Sequence, residues 1–260
     1  MRHIALITGA YGGLGRCFAA IHARYGGDLV LVGRKEALLA SQCAALQKEY
    51  HIRAVYLVQD LARHEAADYI FSQCSTRYGD ILYLINNAGF GGQGEFAARA
   101  DIEDTQMMTV NMETPTRLCK LFLPGMIQRG KGNILNVSSI ASRLPGPLQA
   151  VYFATKAYMT SFSNALWRET AHTGVGVTCL MPGILATGFT VRGHLERTAL
   201  FAHGGAAPME AAIAGYEGMR KGKRNVFCVH PKWLEYAIPY ASLAPEKWLL
   251  DYVYEQQRNR

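Results

Sequence analysis

Tyr152 and Lys156 stand four positions apart in the stretch Val151-Tyr152-Phe153-Ala154-Thr155-Lys156. On a helix that spacing puts a phenol and an ammonium on one face. A tyrosine alone titrates near ~10 and is a poor acid-base catalyst at neutral pH. A fixed positive charge beside it favours the tyrosinate and lowers that pKa, so the pair suits proton transfer at a reacting oxygen. The same spacing occurs on ordinary solvated helices, and its meaning depends on the residues around it. Ser139 is one of these. It follows the apolar run Asn133-Ile134-Leu135-Asn136-Val137 and lies thirteen positions before Tyr152. A strand end, a loop and a helix bring two such hydroxyls to one crevice at the carboxyl edge of a parallel sheet.

A second constellation lies near the N-terminus. Residues 3–8 read as a short buried strand. Thr8-Gly9-Ala10-Tyr11-Gly12-Gly13-Leu14-Gly15 reads as a glycine-rich turn, and Cys17, Phe18, Ile21 and Tyr25 as one face of a helix. Such a turn makes an anion site, because free N–H groups and the helix dipole face the ligand and glycines admit its phosphates. A plain tight turn is the bland account of the same residues. The next strand, 28–32, runs into Gly33-Arg34-Lys35. An acidic residue here would bind a ribose 2′-hydroxyl and favour NAD. A guanidinium suits a 2′-phosphate by charge and fork geometry, so Arg34, helped by Lys35, points to NADP. Asp60, after a strand at 52–58, fits two roles, accepting from an adenine amino group or capping the following helix.

The elements that position these residues follow from the apolar pattern. Helices are expected at about 35–50, 62–78 and 102–129, and strands at 81–85, 133–137, 175–180 and 225–229. The strand at 81–85 ends in Asn86-Asn87-Ala88-Gly89, where two buried amides suit tying neighbouring strands together. Asn111 is awkward inside a helix and marks either an exposed position or a local distortion. Pro124-Gly125 predicts a kink or break. Pro182-Gly183 closes the sixth strand. Residues 184–208 are irregular, with Phe189, Val191, Leu195, Leu200 and Phe201 among Arg192, His194, Arg197 and His203, and read as a lid over a partly apolar pocket that includes Phe90, Leu144 and Leu148. Residues 231–260 form an aromatic-rich extension for which core packing, a subunit interface and a lid all remain open. Strands alternate with helices throughout, which implies an α/β fold, a single Rossmann-like doubly wound parallel sheet of about seven strands, within one domain spanning 1–260.

Composition sets bounds on the class. Of 260 residues half are hydrophobic and 18% charged, which supports a full core and argues against disorder. The net charge of +7 suits anionic ligands such as phosphorylated cofactors. No Arg/Lys stripe interleaved with aromatics appears, which argues against nucleic acid. The six cysteines form no C-x-x-C pair and no His cluster has zinc-ligand spacing, so no metal is expected and the thiols suit a reducing compartment. With neither a leader pattern after Met1 nor an apolar run of ~18 residues, a soluble cytoplasmic protein without a transmembrane segment is expected.

Taken together, T-G-A-Y-G-G-L-G, Asp60, N-N-A-G, Asn111, N-V-S-S, Y-F-A-T-K and Pro182-Gly183 with Thr187 resemble the short-chain dehydrogenase/reductase family in order and spacing, over almost the whole chain. The resemblance implies an NAD(P)-dependent oxidoreductase that interconverts a carbonyl, often lipophilic, and an alcohol. A catalytically silent NADP-binding or scaffold protein of the same fold is the alternative. It implies that Tyr152 is the general acid or base and that Lys156 lowers its pKa and binds the nicotinamide ribose. Ser139 would hydrogen-bond the substrate oxygen, and Asn111 would position a water linking Lys156 to solvent. Cofactor contacts are implied for Gly9, Tyr11, Gly12, Gly13, Leu14, Gly15, Arg34, Asp60, Leu61, Asn87, Ala88, Gly89, Tyr152, Lys156, Pro182, Gly183 and Thr187. Many NADP-preferring members carry a basic residue where this chain has Gly12, so NADP selectivity would rest on Arg34. A homodimer or homotetramer paired through the helices that hold Asn111 and Tyr152 is also implied.

Overall fold

The computed structural model describes residues 3–193, 195, 198, 205–238, 240 and 245–258. Seven strands, β1 Ile4–Thr8, β2 Asp28–Gly33, β3 Ala54–Val58, β4 Ile81–Asn86, β5 Gly132–Val137, β6 Val175–Pro182 and β7 Asn225–Cys228, pair in the order β3-β2-β1-β4-β5-β6-β7. Every pairing is parallel. The helices described are α1 Gly13–Arg24, α2 Glu36–Tyr50, α3 Ala66–Gln73, α4 Asp101–Met108, α5 Thr114–Gln128, α6 Ala150–Glu169, α7 Phe189–Arg192, α8 Pro208–Arg220, α9 Leu234–Ala237 and α10 Glu246–Gln257.

The strands are apolar along their length because both faces of the sheet are covered. Successive residues feed opposite cores. Leu6, Val30, Leu84 and Ile134 pack with Ile70, Leu118, Phe122 and Met126 from α3 and α5. Ala5, Ile7, Leu31 and Leu135 pack with Phe18, Leu39 and Met219 from α1, α2 and α8. Chain order reverses between β1 and β4, and ligand crevices of doubly wound sheets open at the carboxyl ends flanking such a switch. Those ends carry the glycine turn and Asn86-Asn87-Ala88-Gly89. The paired asparagines tie strands as their positions suggest: Asn86 Nδ2 donates to Asn136 Oδ1 at 2.8 Å, and Asn87 Nδ2 to Thr8 O at 2.8 Å.

Several expectations change. The helix expected at 102–129 is α4 and α5 joined by a wide π-helical turn, Thr109–Glu113, with Asn111 in it. That is the local distortion its sequence position allowed. Pro124 does not break the helix and lies inside α5. Phe122 and Met126 on either side of it are buried and hold the helix to the sheet, so tertiary packing outweighs the lost backbone bond. The helix expected at 62–78 begins only at Ala66 and ends in a second π-helical turn, Cys74–Tyr78. Within 184–208, the described residues include α7 and a bridge between Leu185 and Ala206. His194, Arg197, Leu200, Phe201 and His203 lie outside the described residues. In the C-terminal stretch, Trp233, Tyr236, Tyr240, Trp248, Tyr252 and Tyr254 are exposed, which corrects the core-packing account. Leu249 and Val253 of α10 enter the core instead. Among the described residues no helix is long and apolar enough to cross a membrane.

Candidate active site

The glycine turn leaves β1 with Gly9 at φ 63, the left-handed region that side chains disfavour. Helix α1 starts at Gly13 with no side-chain cap and no acidic residue in its first turn. Its first N–H groups are therefore left for an anion, and the turn fits the pyrophosphate of a dinucleotide. Thr187 closes over the turn: a Cβ added to Gly13 would fall 2.5 Å from Thr187 Cγ2. Gly9, Tyr11, Gly12, Gly13 and Leu14 line the cavity, whereas Gly15 lies behind them against Gly9 O and Asn87. Arg34 Nη1 lies 3.8 Å from Asp60 Oδ2, both side chains half-exposed at the rim. Asp60 Oδ1 also accepts from Ala62 N at 3.1 Å within the turn after β3, so it braces that turn and does not cap a helix, since α3 begins only at Ala66; its other oxygen faces Arg34. Leu61, Asn87, Ala88, Gly89, Pro182, Gly183 and Thr187 border the same space.

Tyr152 and Lys156 project from α6 into this cavity, both buried. Ser139, whose Oγ accepts from Ala141 N at 3.1 Å, stands beside Tyr152 in the cavity wall and favours its ionised form. Lys156 Nζ donates to Val137 O at 3.0 Å and lies 5.7 Å from the centre of the Tyr152 ring. Burial pushes Tyr152 up to about 12, with Ser139 pulling in the opposite direction. Burial pushes Lys156 down to about 8. Desolvation is the largest influence on the phenol, and the Lys156 ammonium is anchored to a backbone carbonyl. Asn111 is buried in the wide turn between α4 and α5. Its Nδ2 donates to Phe90 O at 2.9 Å and Thr155 Oγ1 at 3.1 Å, and its Oδ1 accepts from Phe90 N at 3.1 Å. It thus straps the loop after β4 to α6, next to the Lys156 ammonium.

The cavity measures about 1000 Å³, and most of its wall is apolar. Beyond the glycine turn it is bounded by Phe90, Val110, Leu144, Phe153 and Phe189, and Tyr152 and Phe189 meet with ring centres 5.3 Å apart. Leu148, expected in the pocket, is absent from the wall. The C-terminal stretch supplies Leu234, Ile238, Tyr252 and Val253. Among the wall residues that escaped the sequence reading are Gln149 and Gln257. Gln149 stands three positions before Tyr152, a signal that was available. Gln257 lies 108 positions further on, and no local pattern marks it.

A family model described as short chain dehydrogenase matches residues 3–196. Among curated relatives, a very-long-chain 3-oxoacyl-CoA reductase of Laccaria bicolor is 35% identical over 167 residues, covering 64% of this chain and 49% of that protein. Ketoacyl reductase HetN of a Nostoc species is 33% identical over 187 residues, covering 72% of this chain and 65% of that protein. The chain spans about half the length of the first curated relatives it matches. A solved short-chain dehydrogenase from Sphingobium yanoikuyae in complex with NADPH superposes with a TM-score of 0.82 at 27% identity, covering 93% of this chain and 94% of that one.

Proposed function

This chain belongs to the short-chain dehydrogenase family, and from that premise we propose that it is an NAD(P)-dependent oxidoreductase that reduces a ketone or aldehyde to an alcohol, or runs the reverse oxidation. The observation that carries the reading is the Tyr152–Ser139 hydroxyl pair, facing the same cavity as an uncapped glycine-turn helix N-terminus. The nicotinamide cofactor, when bound, supplies the hydride. The chain does the rest. Gly9, Gly12 and Gly13 cradle phosphates, and Asn87 to Gly89 border the adenosine side. Pro182, Gly183 and Thr187 hold the opposite end. Tyr152, a neutral phenol at pH 7, donates its proton to the substrate oxygen, and Ser139 hydrogen-bonds the same oxygen. Lys156 is an ammonium below about pH 8, so it stabilises the tyrosinate left behind and reaches the nicotinamide ribose. Asn111 holds the loop that roofs the pair and positions a water toward Lys156.

NADPH is the preferred donor, because Arg34 sits at the rim where a 2′-phosphate would fall and Asp60 orients its guanidinium. The apolar wall and the 3-oxoacyl-CoA reductase names of its relatives support an extended, apolar carbonyl substrate. Ile184, Leu185 and Phe189 cover the substrate side of the cavity, and Leu234 of α9 and Tyr252 and Val253 of α10 extend that cover. Ile102 and Met108 on α4, Ile127 on α5 and Tyr158 on α6 are exposed, which supports pairing of two copies through these helices. Six free cysteines, five of them buried, support a cytoplasmic setting.

The test is NADPH and NADH oxidation, followed by absorbance, over a panel of ketones, aldehydes and 3-oxoacyl thioesters. Consumption of NADPH in preference to NADH is expected. Arg34→Ala erases that preference. Tyr152→Phe lowers turnover by about 10²–10⁴-fold while leaving NADPH binding within a factor of two. Tight NADPH binding without consumption over the whole panel, or full turnover by Tyr152→Phe, overturns the reading.

A further inference from the structure

The cavity has mostly apolar walls, but one amide buried in its lining is short of a partner. Gln149, the residue before α6, is 3% exposed, and its Oε1 has no hydrogen-bond partner among the described residues. Its Nε2 donates to Oε1 of Gln257, which ends α10 and is also buried. A buried acceptor without a donor is costly, so native structures rarely leave one unless a ligand or ordered water completes it.

The position of this amide is tied to the reacting groups. A Cβ added to Gly91 would fall 3.3 Å from Gln149 Oε1, 3.3 Å from Tyr152 Cδ2 and 3.0 Å from Phe189 Cζ. The amide oxygen and the edge of the Tyr152 ring therefore flank one small space. The backbone leading to Gln149 is held in a sparsely populated conformation: Leu148 has φ 65, and its carbonyl accepts from Gly94 N at 2.9 Å. Non-glycine residues persist there only where the surroundings over-determine them. Gln257 is anchored in turn, since its carbonyl accepts from Gln93 Nε2 at 3.3 Å.

We propose that Gln149 is a specificity residue that recognises a hydroxyl carried on the substrate chain near the reacting carbonyl, and that Gln257 is its positioning residue. This rests on the carbonyl-reductase reading above. Turning both amides over keeps the bond between them and presents Gln149 N–H in place of its oxygen. A hydroxyl both donates and accepts, so it satisfies either arrangement. A substrate without the hydroxyl leaves the amide unpaired, and sites built around a polar partner discriminate strongly against analogues that lack it.

The experiment compares 2-octanone with its hydroxy derivatives, the hydroxyl placed on successive carbons away from the carbonyl, by NADPH oxidation. The wild type is expected to reduce at least one hydroxyketone with a kcat/KM about 10-fold or more above that of 2-octanone. Gln149→Leu inverts the order: KM for the favoured hydroxyketone rises about 10-fold, and 2-octanone becomes the better substrate. NADPH affinity and melting temperature report that this variant is folded. If it does not fold, Gln149→Asn, which retracts the amide by one carbon, must shift the favoured hydroxyl position. Equal reduction of all the ketones by the wild type, or a preference that survives Gln149→Leu, overturns the inference and leaves the reductase reading standing. No NADPH oxidation with any ketone, hydroxylated or not, across this series and the wider panel overturns both.

Discussion

Tyr152 and His22 show how burial sets the chemistry of single residues in this fold. Burial raises Tyr152 to about 12 and lowers Lys156 to about 8. His22, on α1, is 1% exposed, with Nδ1 2.7 Å from Tyr216 Oη, and burial lowers it to about 4 from 6.5. A folded-state pKa below the unfolded one means that the unfolded chain binds the proton first. The contribution of neutral His22 is complete above pH 6.5 and is lost as pH falls from there toward about 4. The loss is about 3 kcal/mol in all, at about 1.4 kcal/mol per pH unit. Urea unfolding at pH 7 and pH 4.5 measures it. His22→Gln is expected to be less stable at pH 7 but to lose distinctly less stability between the two pH values. Parallel losses in variant and wild type would mean that His22 is not the titrating group.

At the scale of elements, the wide turn Thr109–Glu113 matters most to the site. A regular helix through 101–128 would carry every side chain in step. The extra residue in the turn puts Asn111 inward, where it bonds both backbone groups of Phe90 and the Thr155 hydroxyl. Asn111→Ala is expected to lower stability by about 1–3 kcal/mol, because buried backbone groups lose partners. It should also speed hydrogen exchange at the Phe90 amide and depress turnover. Unchanged protection at Phe90 with normal turnover would show that the loop is held by other contacts. Helix α10 acts as a wall in a similar way. Leu249 and Val253 seat it in the core, and Tyr252 and Gln257 border the cavity.

For the whole molecule, the seven-stranded sheet brings residues from both halves of the chain to one crevice at the β1–β4 switch. If two copies pair through α4, α5 and α6 as proposed, sedimentation at micromolar concentration reports a multiple of the 28.7 kDa chain. Tyr158→Glu, on the exposed face of α6, then shifts it to the monomer; a monomer in the wild type removes the pairing. Much of this architecture was legible in the sequence, because a buried parallel sheet writes itself as short apolar runs alternating with helical patterns. The Thr8–Gly15 turn, Asn86–Gly89, Ser139 and the Tyr152–Lys156 pair are likewise local spacings on regular elements, and such spacings survive folding unchanged. Other properties belong to contacts between distant segments. The continuation of α5 through Pro124 depends on the core beneath it, and the exposure of the C-terminal aromatics on which face α10 turns inward. The raised Tyr152 pKa depends on how deeply α6 is covered. The meeting of Gln149 with Gln257 joins two ends of a cavity that exists only once the chain has folded. The sequence by itself determined the elements and the reacting groups they carry. Only the tertiary structure decided what is desolvated and what faces what, because burial and long-range proximity are set by packing and not by spacing along the chain.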